Sequence, residues 1–138
     1  MAKMNMKVRT LFENQRTIAM ATASADGTPN AIPIGAKKVL DDETILISDQ
    51  FFNKTLANLR ENPRVSLSFW DAETHESYQI KGNITIETSG EIFEKTKAWI
   101  DEMARAINVP LKSKGAVVVK ITKVFTNAPG PDAGAKIA

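Results

Sequence analysis

The chain has 138 residues, 43% of them hydrophobic and 25% charged, with 18 Lys+Arg against 16 Asp+Glu for a net charge of +2. These proportions suit one folded domain and exclude a disordered tail, a collagen or a coiled coil, and so balanced a charge gives no reason to expect nucleic acid or an anionic membrane as the main partner. No cysteine and a single histidine, His75, exclude disulfides, iron–sulfur clusters, thiolate zinc sites and cysteine nucleophiles, and any cage of several histidines.

The longest apolar runs, such as Ile45–Ile47 and Val117–Val119, are far below the ~20 residues of a membrane span. Met1–Lys7 is polar and holds no signal-peptide core. The expected compartment is therefore the cytoplasm, and the sequons Asn53-Lys54-Thr55 and Asn83-Ile84-Thr85 are incidental.

In chain order, Val8, Leu11 and Phe12 stand at helical spacing and predict a short helix from Met6 to Asn14. Thr17 to Ser24 alternates as a strand, Asp26-Gly27 is a hairpin turn, and Asn30 to Leu40 is the returning strand. Asp41-Asp42-Glu43 turns the chain into a β-branched strand from Thr44 to Ser48. Asn53 opens a helix to Glu61 that Asn62-Pro63 stops. Arg64 to Trp70 alternates Val65, Leu67 and Phe69 with Ser66 and Ser68, a half-buried strand. Ser77 to Glu87 is a long strand with a bend or bulge at Gly82. A helix after Gly90 runs to Ile107 with Ile92, Thr96, Trp99, Met103 and Ile107 on one stripe, and Lys114 to Val124 is the last strand. Six strands in consecutive hairpins with three helices argue against a doubly wound parallel sheet and for a small antiparallel barrel with helices at its ends. The expected organisation is one domain over residues 1–125 and an irregular tail over 126–138, rich in Pro, Gly and Ala.

Most catalytic devices are missing. His75 lies in a polar hairpin tip, Asp41-Asp42 reads as a turn, and Gly130 to Lys136 lacks the spacing, the Ser/Thr and the following helix of a phosphate loop. The segment Ser48 to Thr55 is richer. It joins a strand to a helix start, where unpaired N–H groups and the positive dipole end attract anions. Lys54 adds a cation, Asn53 and Thr55 add neutral polar groups. A Lys in a first helical turn opposes the dipole unless an anion compensates it. The same residues also suit an ordinary cap with a solvated lysine. Phe51-Phe52 suits either the core or a flat surface beside a ring.

The order of these motifs resembles the split-barrel FMN-binding proteins related to pyridoxamine 5′-phosphate oxidase, in particular their short single-domain members. The resemblance spans Thr17 to Phe125 and is carried by Ala21 to Asn30, by Lys54-Thr55 opening a helix, by Asn62-Pro63-Arg64-Val65-Ser66-Leu67, and by Gln79-Ile80-Lys81-Gly82. It implies an antiparallel six-stranded split β-barrel with flanking helices, and a homodimer with FMN in a groove between subunits. It places the flavin ring along Ile32, Pro33, Ile34, Gly35, Ala36 and Lys37, the closing loop at Ser48, Asp49, Gln50 and Phe51, and the phosphate at Asn53, Lys54 and Thr55. Ile32 stands where the family often has Arg, which leaves Lys37 or Lys38 as further phosphate partners. Asn127 to Ala138 lacks the Arg and His of the oxidase's own substrate motif, so oxidation of pyridoxamine phosphate is not expected. Trp99 is expected in the core and Trp70 at the dimer interface.

The resulting expectation is an FMN flavoprotein that moves electrons, with NAD(P)H or another protein as donor and no catalytic side chain of its own. Two alternatives stay open: a deazaflavin F420 reductase, and a non-enzymatic flavin-binding or sensing module. A haem site is disfavoured by the single loop histidine.

Overall fold

The computed structural model describes residues 2–138. Helix α1 (Met6–Asn14) leads into strands β1 (Ile18–Ala23), β2 (Pro29–Ile34), β3 (Lys37–Asp41) and β4 (Thr44–Asp49). Helix α2 (Lys54–Glu61) follows, then β5 (Arg64–Trp70), β6 (Ser77–Glu87), helix α3 (Glu91–Ile107) and β7 (Gly115–Thr126). The strands form one antiparallel sheet in the order β2-β1-β5-β6-β7-β4-β3.

The sheet has seven strands, not six. The returning strand expected from Asn30 to Leu40 breaks at Gly35-Ala36, because its halves pair with different neighbours: β2 with β1, and β3 with β4. Two strands adjacent in sequence therefore lie at opposite edges of the sheet. Only a sheet curled until its edges approach can be joined by two residues. Lys37 N–H donates to Gly35 O at 3.0 Å, a tight turn, and Ser48 N–H donates to Ala36 O at 3.0 Å. A side chain at Gly35 would stand 3.4 Å from Arg16 O. Beyond this junction β2 has no strand on its outer edge, and the barrel stays split there.

Alternation builds the core. Val65, Leu67 and Phe69 of β5 meet Ile80 and Ile84 of β6 and Val117, Val119, Ile121 and Val124 of β7. Helix α1 plugs one end with Val8, Leu11 and Phe12; the Phe12 and Phe69 rings meet edge to face at 5.3 Å. Asn5 caps α1 by accepting from Val8 N–H at 3.0 Å. All six residues of β4 are buried: Ile45 and Ile47 face the barrel core, while Leu46 packs with Ala116, Val118 and the half-buried Trp99 under α3. The α3 stripe is rotated from the expected one. Thr96 and Ile100 are buried, whereas Ile92 and Ile107 are exposed.

Residues 126–138 fold back on the end of β7. Ile137 N–H donates to Val124 O at 2.8 Å, Thr126 N–H donates to Ala135 O at 2.9 Å, and Phe125 bridges to Lys136. At Gly82 the β6–β7 ladder slips by one residue, as the bend expected there requires.

Candidate functional site

The split in the barrel forms a cleft of about 200 Å³. One wall is Ile32, Pro33 and Ile34 of β2 with Gly35 and Ala36 of the junction; the other is Ser48, Gln50, Phe51 and Phe52, where β4 runs into α2. Pro29 and Pro33 stand four residues apart on β2, on one side of its ladder, and neither can donate a hydrogen bond. They block the addition of another strand to this open edge while leaving carbonyl acceptors there.

Three features leave this cleft chemically incomplete. The side-chain oxygen Oε1 of Gln50 is buried without a hydrogen-bond partner, a state that costs about 1–3 kcal/mol. Phe51 is 78% exposed at the rim. The cleft volume also falls below the ~300–1,000 Å³ of enclosed ligand pockets, so one chain offers a wall and a slot rather than a closed cavity.

Next to the cleft, α2 begins with an unused cap. The Asn53 side chain makes no capping hydrogen bond, and no acidic residue lies in the first turn. The first helical bond runs from Ala57 N–H to Asn53 O at 3.2 Å. The preceding N–H groups at the helix start thus have no intrahelical acceptor, and Lys54 beside them is exposed. Thr55 is buried and its Oγ1 accepts from Asn30 Nδ2 at 3.1 Å; one turn on, Asn58 Nδ2 donates to Thr22 Oγ1 at 3.0 Å. These two bridges fasten α2 to β2 and β1 and set the helix start against the cleft.

Of the residues proposed from sequence, Ile32, Pro33, Ile34, Gly35, Ala36, Ser48, Gln50 and Phe51 line this one cleft, with Asn53, Lys54 and Thr55 directly after it. Some side chains are engaged elsewhere. The Ser48 hydroxyl donates to Ser113 Oγ at 2.7 Å. Asp49 is buried, accepts from Phe52 N–H at 3.0 Å and lies 3.8 Å from Lys114 Nζ, so its carboxylate shapes the loop. Lys37 donates to Phe12 O at 2.7 Å with its ammonium 4.6 Å from the Phe12 ring, and burial pushes its pKa down. Lys38 lies over the Trp99 ring at 5.2 Å. Alternation along β3 sends one lysine to α1 and the other to α3, and neither faces the helix start of α2. Sequence reading left Phe52 between the core and a flat surface beside a ring and did not assign Asn30 and Asn58 to the site; a polar residue on the inward face of α2 was the available signal for Asn58.

No group of three or more His, Asp or Glu able to hold a metal occurs among the described residues, and no helix there is long and apolar enough to cross a membrane. The sequence profile of the pyridoxamine 5′-phosphate oxidase family matches residues 4–128. The chain belongs to that family. An uncharacterized protein of Methanocaldococcus jannaschii is 43% identical to this family member over 129 residues, which is 92% of the chain and 83% of the relative. Among solved structures, Group A Streptococcus HupZ matches with a TM-score of 0.79 at 25% identity, over 95% of this chain and 99% of that one. An FMN-binding protein from Syntrophomonas wolfei matches with a TM-score of 0.72 at 21% identity, over 87% and 82%. An F420 reductase (TM-score 0.64, 20% identity, 84% and 94% covered) and the heme storage protein HutZ of Vibrio cholerae (0.67, 16%, 92% and 97%) share the fold as well. Family and split-barrel fold thus agree with the reading of the sequence, while the same fold serves proteins of different cofactors.

Proposed function

We propose that the chain binds FMN in the cleft between β2 and the β4–α2 loop and works as a homodimeric cytoplasmic flavoprotein in electron transfer. The observation that carries this reading is the buried, partnerless Oε1 of Gln50, a residue that lines a mainly apolar slot. The pyrimidine edge of a flavin alternates two carbonyls with one N–H, so it offers the donor that Gln50 lacks. The open edge of β2 at Ile32, Pro33 and Ile34 supplies a mainly apolar wall for the ring. The open N–H groups of α2 with Lys54 supply a seat for a phosphate. These residues fit the cofactor.

Bound FMN supplies reversible one- or two-electron chemistry. The chain's own residues bind and orient it: β2 covers ring surface, Gln50 accepts a hydrogen bond, and Phe51 and Phe52 keep water from the slot. Asn30 and Asn58 hold the helix start in place. None of them is asked to transfer a proton.

The incomplete cleft also supports the dimer. At the Trp70 end of β1 and β5, away from Arg64, the outer face carries small residues, Ala19 opposite Ser68, beside Trp70, which is 52% exposed. A second copy packed on such a face closes an open-sided slot and covers Trp70.

Titration of flavin-free protein with FMN, followed by quenching of flavin fluorescence, tests the reading. Saturation at one FMN per chain is expected, with weaker binding by Gln50→Leu. Loss of no affinity in Gln50→Leu would remove the main support. Uptake of F420 in preference to FMN would keep the cleft and change the cofactor.

A further inference from the structure

On the outer surface of β1, β5, β6 and β7 lies a second groove, of about 620 Å³. It shares no lining residue with the β2 cleft, and its size is within the ordinary range for small-molecule sites. Its charged lining is one-sided: Arg64, Lys81 and Lys123, with no Asp or Glu, beside neutral polar residues that include Ser66, Asn83 and Thr122. None of the three cations takes part in an ion pair among the described residues.

The strand register brings these charges together. Arg64 pairs with Asn83, Ser66 with Lys81, and Lys81 with Lys123. Like charges placed directly opposite on neighbouring strands repel, so the Lys81–Lys123 pair is unfavourable while no anion sits between them. Lys81 is further steadied by the Phe125 ring, 5.6 Å from its ammonium; this contact leaves its charge uncompensated.

The backbone is shaped for the groove. The ladder passes from Lys81–Lys123 to Gly82–Ile121, which leaves Thr122 as the extra residue of a bulge. Thr122 Oγ1 donates to Lys81 O at 3.0 Å. Regular alternation would send Thr122 and Lys123 to opposite faces; the bulge lets both line the groove. Gly82 makes this possible. A Cβ there would lie 2.6 Å from Val119 Cγ1 and 2.7 Å from Lys120 O.

We propose that this groove binds the diphosphate group of a small molecule, at a site separate from the flavin cleft. Three uncompensated cations with neutral hydrogen-bond groups between them match a group that carries several negative charges over a few ångströms. Inorganic pyrophosphate and a nucleoside diphosphate share that chemistry.

The test is a titration of the full chain, saturated with FMN so that the start of α2 is filled, with inorganic pyrophosphate and then with ADP, followed by amide NMR shifts. Saturable shifts are expected at Ser66, Lys81, Gly82, Thr122 and Lys123. The double variant Lys81→Gln/Lys123→Gln should bind pyrophosphate at least about tenfold more weakly with its FMN affinity unchanged. Tighter binding of ADP assigns the site to a nucleotide; equal or tighter binding of pyrophosphate assigns it to the diphosphate alone. Thermal melting gives a second readout. Without anion the double variant should melt above the parent chain, and pyrophosphate should raise the Tm of the parent chain only. No saturable shift, shifts confined to Asn53–Thr55, or equal binding by the double variant would overturn the proposal. If the chain takes up no FMN, the same titration on the protein as purified decides the groove by itself.

Discussion

Replacing Lys54 by Glu separates the stability of α2 from its use. The helix has no acid in its first turn and no side-chain cap, so its positive end is uncompensated and carries a further positive charge. Glu at this position favours the dipole where Lys opposes it, a swing on the order of 1 kcal/mol. For a chain of this size that is roughly 3–5 °C in Tm. The flavin-free Lys54→Glu protein should therefore melt higher than the parent. Its affinity for FMN should move the other way. A charge-assisted hydrogen bond to phosphate contributes about 1.5–3 kcal/mol, so the dissociation constant should rise by about one to two orders of magnitude, read by fluorescence titration. Riboflavin, which lacks the phosphate, should bind both proteins nearly alike. A variant that is less stable without flavin, or one that binds FMN as well as the parent, refutes the assignment of the phosphate to this helix.

Further expectations follow from single contacts. Gly82→Ala forces a Cβ against Val119 Cγ1 and Lys120 O, at 2.6 and 2.7 Å; urea unfolding should show a loss of about 1–3 kcal/mol, and an unchanged midpoint would mean that the bulge yields freely. Asn58→Ala removes the buried bond to Thr22 Oγ1 and should cost about 1–3 kcal/mol in the same assay, with FMN affinity falling as α2 loosens. Phe51→Ala, at a side chain 78% exposed, should leave stability within about 0.5 kcal/mol yet weaken FMN binding by roughly tenfold or less. Hydrogen bonds from Ser24 and Thr28 hold the Asp26 carboxyl down at about 2 from 3.8. A depressed carboxylate pKa contributes stability above the unfolded value that is lost as pH falls through the folded one. Acid titration should therefore show a shallower loss between those two pH values for Asp26→Asn than for the parent.

The strands of the core are readable because Val65, Leu67 and Phe69, or Val117 and Val119, repeat the period of the sheet in a few consecutive residues. The break at Gly35-Ala36 is not, since Asn30 to Leu40 runs on as strand-forming sequence and only the change of partner from β1 to β4 interrupts it. A similar division holds at the cleft. Asn53, Lys54 and Thr55 are recognisable from the local chemistry of a helix start. The direction of Lys37 depends on Phe12 of α1, and that of Asp49 on Lys114, partners that spacing does not reveal. The apolar stripe of α3 predicted Ile92 and Ile107 as buried, but the small patch of Leu46, Ala116 and Val118 covers only the middle of the helix. Arg64, Lys81 and Lys123 look like scattered surface charges until the β5–β6–β7 register gathers them.

Flavin binding is tested most directly by the visible absorption spectrum of the protein as purified, with release and mass identification of any chromophore and titration with FMN. The expected result is the spectrum of an oxidised flavin and released FMN, or saturation of colourless protein at one FMN per chain. A chain that carries no chromophore and takes up no FMN contradicts the assignment of the β2 cleft.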